Sequence, residues 1–300
     1  MKKRIYCLTA MLSILLLSIL LLSGCGAAAD PETNADTPDA SEEELSETET
    51  PSSDTSGTKE TLVVAMELAY PPFEMRDEAG EASGIAPDLM RAFGEYAGYD
   101  IQIENTAWDG LIPSLQTGAA DIVISSMTIT EERKNLVDFS DPYANALLAV
   151  LAGADSGISS VEDLNQPGKI LAVKSGSTGH MYAEKNLPEA ELLVLPDESA
   201  CVTEVAQGRA DGFIYDQLTI YRNWQNNLNT TTAIFIPFQD VEKWGIAVQK
   251  GNQELLDQLN AFLADFKENG GYEELTEKYL AEEKKAFDEL GFQWFFDMKE

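Results

Sequence analysis

Between Thr61 and Ala281, short apolar runs alternate with longer amphipathic stretches, and this alternation constrains the fold more than any single motif does. The runs Thr61 to Met66, Asp121 to Ile124, Lys169 to Val173 and Asp211 to Ile214 are too short for buried helices and read as strands. Pro87 to Tyr96, Asp109 to Gln116, Ala200 to Gln207, Gln217 to Gln225 and Glu254 to Glu268 carry the helical spacing between them. Strands alternating with helices predict an α/β architecture with a parallel or mixed sheet. Further strands are expected at Ala233 to Phe238 and Trp244 to Val248, and Gly270-Gly271 divides the last two helices. Pro71-Pro72 removes two donors directly after the first strand, so that strand must end in an ordered loop holding Tyr70 and Glu74.

The chain has 300 residues, enough for two domains with cores of their own. Its 52 acidic residues against 20 basic ones argue against a nucleic-acid partner, which needs clustered Lys and Arg. Lys2, Lys3 and Arg4 precede an apolar run that ends in Leu22-Ser23-Gly24-Cys25. This resembles a bacterial lipoprotein signal and implies removal of residues 1–24, lipidation of Cys25 and a membrane-tethered protein outside the cytoplasm. A plain transmembrane anchor is the alternative. Residues 25–59 hold the lipidated cysteine and a Ser-, Thr-, Pro- and acid-rich stretch with too few apolar residues to order itself, expected to be a disordered linker. Cys201 would then be the one remaining thiol, a small buried hydrophobe rather than a nucleophile, and no disulfide is expected. Lone His180 makes no metal site, and no cofactor is expected.

Six ordered blocks carry a resemblance across roughly Thr61 to Leu280: AYPPFE at 69–74, WDGLIPSLQTG at 108–118, ADIVISSMTITEERKNLVDFSDPY at 120–143, AVKSGST at 172–178, GRADGFIYD at 208–216 and WGIAVQKG at 244–251. Together they resemble the amino-acid-binding members of the bacterial extracellular solute-binding proteins, family 3. The resemblance implies a type II periplasmic-binding-protein-like fold, two α/β lobes joined by two crossover strands acting as a hinge. Lobe 1 would be residues 60–148 plus 244–281, lobe 2 residues 149–243, and 282–300 a C-terminal extension. It implies a monomer that captures a free amino acid and delivers it to the permease of an ABC importer. The same fold hosts prephenate or arogenate dehydratase-like enzymes, so an enzyme remains an alternative, with Glu67 as the one candidate acid. A receptor's sensor domain is a third reading, one that would require a further membrane helix or signalling domain.

A free amino acid presents a carboxylate and an ammonium on one carbon, so its receptor needs a cationic fork facing an anion. Arg133 suits the fork, because a guanidinium meets both carboxylate oxygens, and Thr128 adds a hydroxyl and a backbone donor. A surface pairing of Arg133 with Glu131 or Glu132 is the plainer reading. Asp216, directly after a strand, suits the ammonium or caps the following helix. The resemblance places the Ser126 carbonyl beside that ammonium and makes Ser177 and Thr178 the second lobe's carboxylate clamp, at a helix N-terminus. His180 is expected to cap or to face solvent. The resemblance also makes Glu67, Tyr70 and Trp108 the walls of the side-chain pocket. Glu67 favours a basic or amide side chain, or else forms a salt bridge within the protein. The aromatic residues of the extension, Phe287, Phe292, Trp294, Phe295 and Phe296, are expected to pack on the lobe surface.

Overall fold

The structure, a computed structural model, describes residues 59–298. The expected signal at 1–24, Cys25 and the linker up to its final residue lie outside the described residues. The elements follow the expected alternation. In chain order they are β1 (Thr61–Met66), β2 (Met75–Arg76), β3 (Ala82–Ser83), α1 (Ile85–Ala97), β4 (Asp100–Asn105), α2 (Leu111–Thr117), β5 (Ile122–Val123), α3 (Glu131–Lys134) and β6 (Val137–Ala146). After these come β7 (Leu148–Gly153), β8 (Ile170–Lys174), α4 (Thr178–Asn186), β9 (Glu191–Leu195), α5 (Glu198–Ala206), β10 (Gly212–Asp216), α6 (Gln217–Asn226) and β11 (Thr231–Ile234). The chain closes with β12 (Glu242–Gln249), α7 (Gln253–Glu268), α8 (Gly271–Tyr279) and α9 (Ala281–Leu290).

Two five-stranded mixed sheets result, one ordered β4-β1-β5-β12-β6 and the other β11-β7-β10-β8-β9. Within the first, β1 runs parallel to β4 and β5, while β12 is antiparallel to β5 and β6. Within the second, β8 runs parallel to β9 and β10, and β7 is antiparallel to β10 and β11. The chain passes between the sheets twice, through Leu147 and through the segment from Phe235 to Val241. The strand expected at Ala233 to Phe238 instead lies at Thr231–Ile234. Pro237, which cannot donate to a ladder, falls in the second crossing.

Alternation along each central strand sends residues to opposite faces, and helices cover both. Val64 and Met66 pack with Leu89, Met90 and Phe93 of α1, whereas Ala65 packs with Leu111 and Leu115 of α2. In the other sheet Leu171 and Val173 meet Leu164 and Ala183, while Ala172 faces Cys201 and Val202 of α5. Cys201 is fully buried and burial pushes its thiol up to about 12, so it behaves as a small hydrophobe. Asp121 and Asp211 play matching parts: each carboxylate accepts a hydrogen bond of 2.8 Å from the backbone N–H of a neighbouring strand, Val63 and Ile170 respectively.

The C-terminal extension departs from its expected place on the surface. Phe287 within α9 and Phe295 beyond it are wholly buried and Trp294 is nearly so, all in the same cluster as Phe73 and Trp244. The Phe295 ring lies 5.2 Å from Phe73 and 5.7 Å from Trp244. Backbone and side-chain bonds fasten it to β6 and α6: Asn145 N–H donates to the Phe295 carbonyl at 2.7 Å, and Gln217 Nε2 to that of Gln293 at 3.0 Å. Arg222 of α6 pairs with Glu283 and also donates to the Pro71 carbonyl at 3.0 Å. Rings this apolar find more dry surface in the gap behind the cleft than on the outside of one lobe.

Candidate functional site

The C-terminal ends of β1, β5, β8 and β10 open into one cleft between the two sheets, the position where ligands gather in α/β folds. All the residues named from the sequence as candidates line that cleft: Glu67, Tyr70, Trp108, Ser126, Thr128, Arg133, Ser177, Thr178 and Asp216. A wider groove shares Thr128 and Thr178 with it.

Arg133 is only 5% exposed, which removes the surface-pairing reading; it is Lys134 that pairs with Glu131, at 2.9 Å. The local sequence explains why. Thr130 caps the single turn of α3 by accepting from Arg133 N–H at 3.2 Å, and this directs the side chain inward. Its guanidinium donates to the Thr128 carbonyl at 2.7 Å and to the Gly176 carbonyl at 3.1 Å, across the cleft. Among the described residues it forms no ion pair with a carboxylate. Burial lowers its pKa to about 10, so it stays cationic at physiological pH.

Asp216 faces it from the other sheet. One oxygen caps α6, accepting from Leu218 and Thr219 N–H at 2.9 and 3.1 Å, so the capping role is realised. The other oxygen, Oδ2, is buried with no hydrogen-bond partner, and so is the Tyr70 hydroxyl. Unpaired buried polar atoms are costly and uncommon, and two lining one cleft mark a place built for a polar guest. Burial raises the Asp216 carboxyl above its ordinary range, opposed by the Thr219 N–H, the neighbouring Tyr70 hydroxyl and the rest of the cap. Ser126 holds φ at 48°, the one positive φ outside glycine among the described residues. Its N–H donates to the Tyr143 hydroxyl at 3.1 Å and its hydroxyl to Glu74 at 3.2 Å.

Ser177 caps α4, accepting from His180 N–H at 3.1 Å, and His180 Nδ1 accepts from Gly176 N–H at 3.2 Å. His180 thus braces the turn before α4. Gly179 lets α4 approach β10 closely: a Cβ there would lie 2.4 Å from the Ile214 carbonyl. This close approach sets Thr178 at the cleft.

Three further charged residues of the cleft are missing from the sequence-based set. Lys174, the last residue of β8, is 2% exposed and ion-paired with Glu67 from β1's end and with Glu198, the latter at 3.2 Å. Of the open readings for Glu67, the salt bridge within the protein is the one formed. Lys174 and Arg133 both stand over the Trp108 ring, at 5.4 and 5.2 Å from its centroid. The clue to Lys174 was available, since a lysine ending an apolar strand occupies the same kind of position as Asp216. Glu242 accepts from the hydroxyls of Thr128 and Thr178, and Glu74 is almost wholly buried. Nothing near Glu242 in the sequence announces it, whereas Pro71-Pro72 had already placed Glu74 in the ordered loop after β1.

Burial raises the Glu74 carboxyl well above its ordinary 4.5, opposed mainly by the Ser126 hydroxyl. A folded-state pKa above the unfolded one means the folded protein holds a proton that the unfolded chain has lost. The stabilising contribution is therefore complete below about pH 4.5 and falls as pH rises through the folded value. Glu74→Gln removes this titration. Denaturant melts should show the variant gaining on the parent by up to about 1.4 kcal/mol per pH unit across that interval. Parallel stability curves for the two proteins would mean that Glu74 does not titrate on unfolding.

Comparison with known proteins places this geometry among relatives. The bacterial extracellular solute-binding proteins, family 3, match residues 62–282. The ABC transporter glutamine-binding protein GlnH of Bacillus subtilis (strain 168) is 35% identical over 208 residues, 68% of this chain and 75% of that protein. Among solved structures, an ancestral arginine-binding protein bound to glutamine is 36% identical with a TM-score of 0.68, covering 75% of this chain and 100% of that one. The ancestral amino acid-binding protein AncCDT-1, described as a precursor of cyclohexadienyl dehydratase, is 37% identical with a TM-score of 0.67, covering 73% and 94%.

Proposed function

This chain belongs to the bacterial extracellular solute-binding proteins, family 3, and we propose that it captures a free polar L-amino acid between its lobes and delivers it to an ABC importer. It is a binding protein, not an enzyme. One observation carries the choice of ligand: a buried guanidinium without a carboxylate partner and a buried carboxylate oxygen without a donor line the same cleft. A zwitterion supplies both missing partners. Arg133, Thr128, Ser177 and Thr178 take its carboxylate, Asp216 and the Ser126 carbonyl its ammonium, and Glu67, Tyr70 and Trp108 its side chain. Closure swings about Leu147 and the segment from Phe235 to Val241.

The pair formed by Lys174 and Glu67 narrows the side chain. A guanidinium or ammonium brought to Glu67 meets the charge of Lys174, whereas a terminal amide donates to the carboxylate and accepts from the ammonium. On this pairing an amide side chain of glutamine's length is favoured over a basic one. Isothermal titration with glutamine, arginine, lysine, histidine and glutamate tests this. Glutamine should bind tightest, and Lys174→Met should shift preference towards arginine by about tenfold or more, near 1.4 kcal/mol. Arginine binding the parent protein more tightly than glutamine would overturn the preference.

The Leu22-Ser23-Gly24-Cys25 ending of the apolar run supports a lipid anchor on Cys25, holding a monomer outside the membrane by a long acidic tether. Loss of detergent-phase partitioning in Cys25→Ala, and light scattering of the parent at monomer mass, are the checks. Among the described residues no helix is long and apolar enough to cross a membrane.

A further inference from the structure

We infer that Glu242 is a resident stand-in for the ligand's carboxylate: its Oε2 bridges the hydroxyls of Thr128 and Thr178, latches the lobes together in the ligand-free protein, and must be displaced by an incoming amino acid. The inference rests on the proposed amino-acid reading, because it is that reading which makes the two hydroxyls a carboxylate clamp. Oε2 accepts from Thr128 Oγ1 at 2.8 Å and from Thr178 Oγ1 at 2.9 Å, and Oε1 accepts from Gln239 Nε2 at 2.7 Å. Thr128 follows β5 in one lobe, Thr178 opens α4 in the other, and Glu242 starts β12 directly after the second crossing. One carboxylate oxygen therefore joins three parts of the hinge and cleft.

Its position is fixed by the backbone. The N–H groups of Ile129 and Gly245 donate to the carbonyls of Lys243 and Met127 at 2.8 and 3.1 Å, pinning the start of β12 against the loop that carries Thr128. Arg133 attracts Glu242 through space, its own hydrogen bonds going to the Thr128 and Gly176 carbonyls. Two carboxylates cannot share two hydroxyl donors and one guanidinium without strong repulsion. Binding must accordingly turn Glu242 out of the clamp, and the contacts it gives up weaken the apparent affinity by the population of the latched state.

Calorimetry with L-glutamine and L-arginine on the parent, Glu242→Gln and Glu242→Ala, with X-ray scattering of each ligand-free protein, tests the inference. Glu242→Ala should bind its preferred ligand about tenfold more tightly, and its ligand-free radius of gyration should exceed that of the parent. Glu242→Gln, which keeps the oxygen and loses the charge, should lie between. Unchanged or weaker binding by Glu242→Ala with native circular dichroism would overturn the displacement. A parent that binds neither amino acid counts against the functional reading instead. Scattering then still decides the latch, because an unchanged radius of gyration in Glu242→Ala removes it.

Discussion

Arg133→Ala should abolish measurable amino-acid capture, weakening it by about a hundredfold or more. Each charge-assisted hydrogen bond is worth roughly 1.5–3 kcal/mol, so a bidentate pair with a ligand carboxylate contributes about 3 kcal/mol at the least. At about 1.4 kcal/mol per factor of ten, that is two decades of affinity. The fold itself should survive. Arg133 is a buried cation whose observed partners are two carbonyl oxygens, Thr128 and Gly176, and those can take water when the side chain is gone. Titration calorimetry beside a thermal melt separates the two effects. Binding retained within about threefold would move the carboxylate fork elsewhere, with Lys174 the next cation in the cleft, and the assignment of the ligand's two ends would have to be reversed.

Phe295→Ala should cost about 3–5 kcal/mol of folding stability, the range for truncating a buried phenylalanine. The ring has no exposed surface and sits between Phe73, Trp244, Phe287 and Trp294, at centroid distances from 5.2 to 6.0 Å. For a protein of this size, with about 2–4 °C lost per kcal/mol, the melting temperature should fall by on the order of 10 °C. Guanidinium denaturation followed by circular dichroism measures the free-energy loss directly. A loss below about 1 kcal/mol would show that the gap closes without the ring and that the extension is a peripheral addition. The family match ends at residue 282, before the rings of the extension, so this part of the core belongs to the extension and not to the matched region.

Much of the fold was legible because strand and helix periods differ and because punctuation was clear. Gly98, Gly118 and Gly291 end helices in the left-handed conformation, and Asp216 caps its helix as its place after a strand suggests. The extension was harder. Its aromatic content demanded burial, but whether it buries against one lobe or between elements of both depends on a gap formed by Phe73, Trp244 and Asn145, which lie far apart in sequence.

The candidate site divides in the same way. Residue chemistry and position at strand ends are local properties, so Arg133, Asp216 and Thr178 were identifiable from the sequence as cation, anion and helix-start hydroxyl. Pairing is not local. Whether Glu67 is available to a ligand depends on Lys174, which lies in the other lobe, and the two meet only when the cleft is assembled. The same holds for Glu242, an ordinary strand glutamate until two hydroxyls from opposite lobes converge on it. The sequence alone therefore determined the alternating architecture and which side chains carry charge. The tertiary structure alone decided which charges are already neutralised, because Coulomb and hydrogen-bond energies depend on distances between atoms that the chain brings together only on folding.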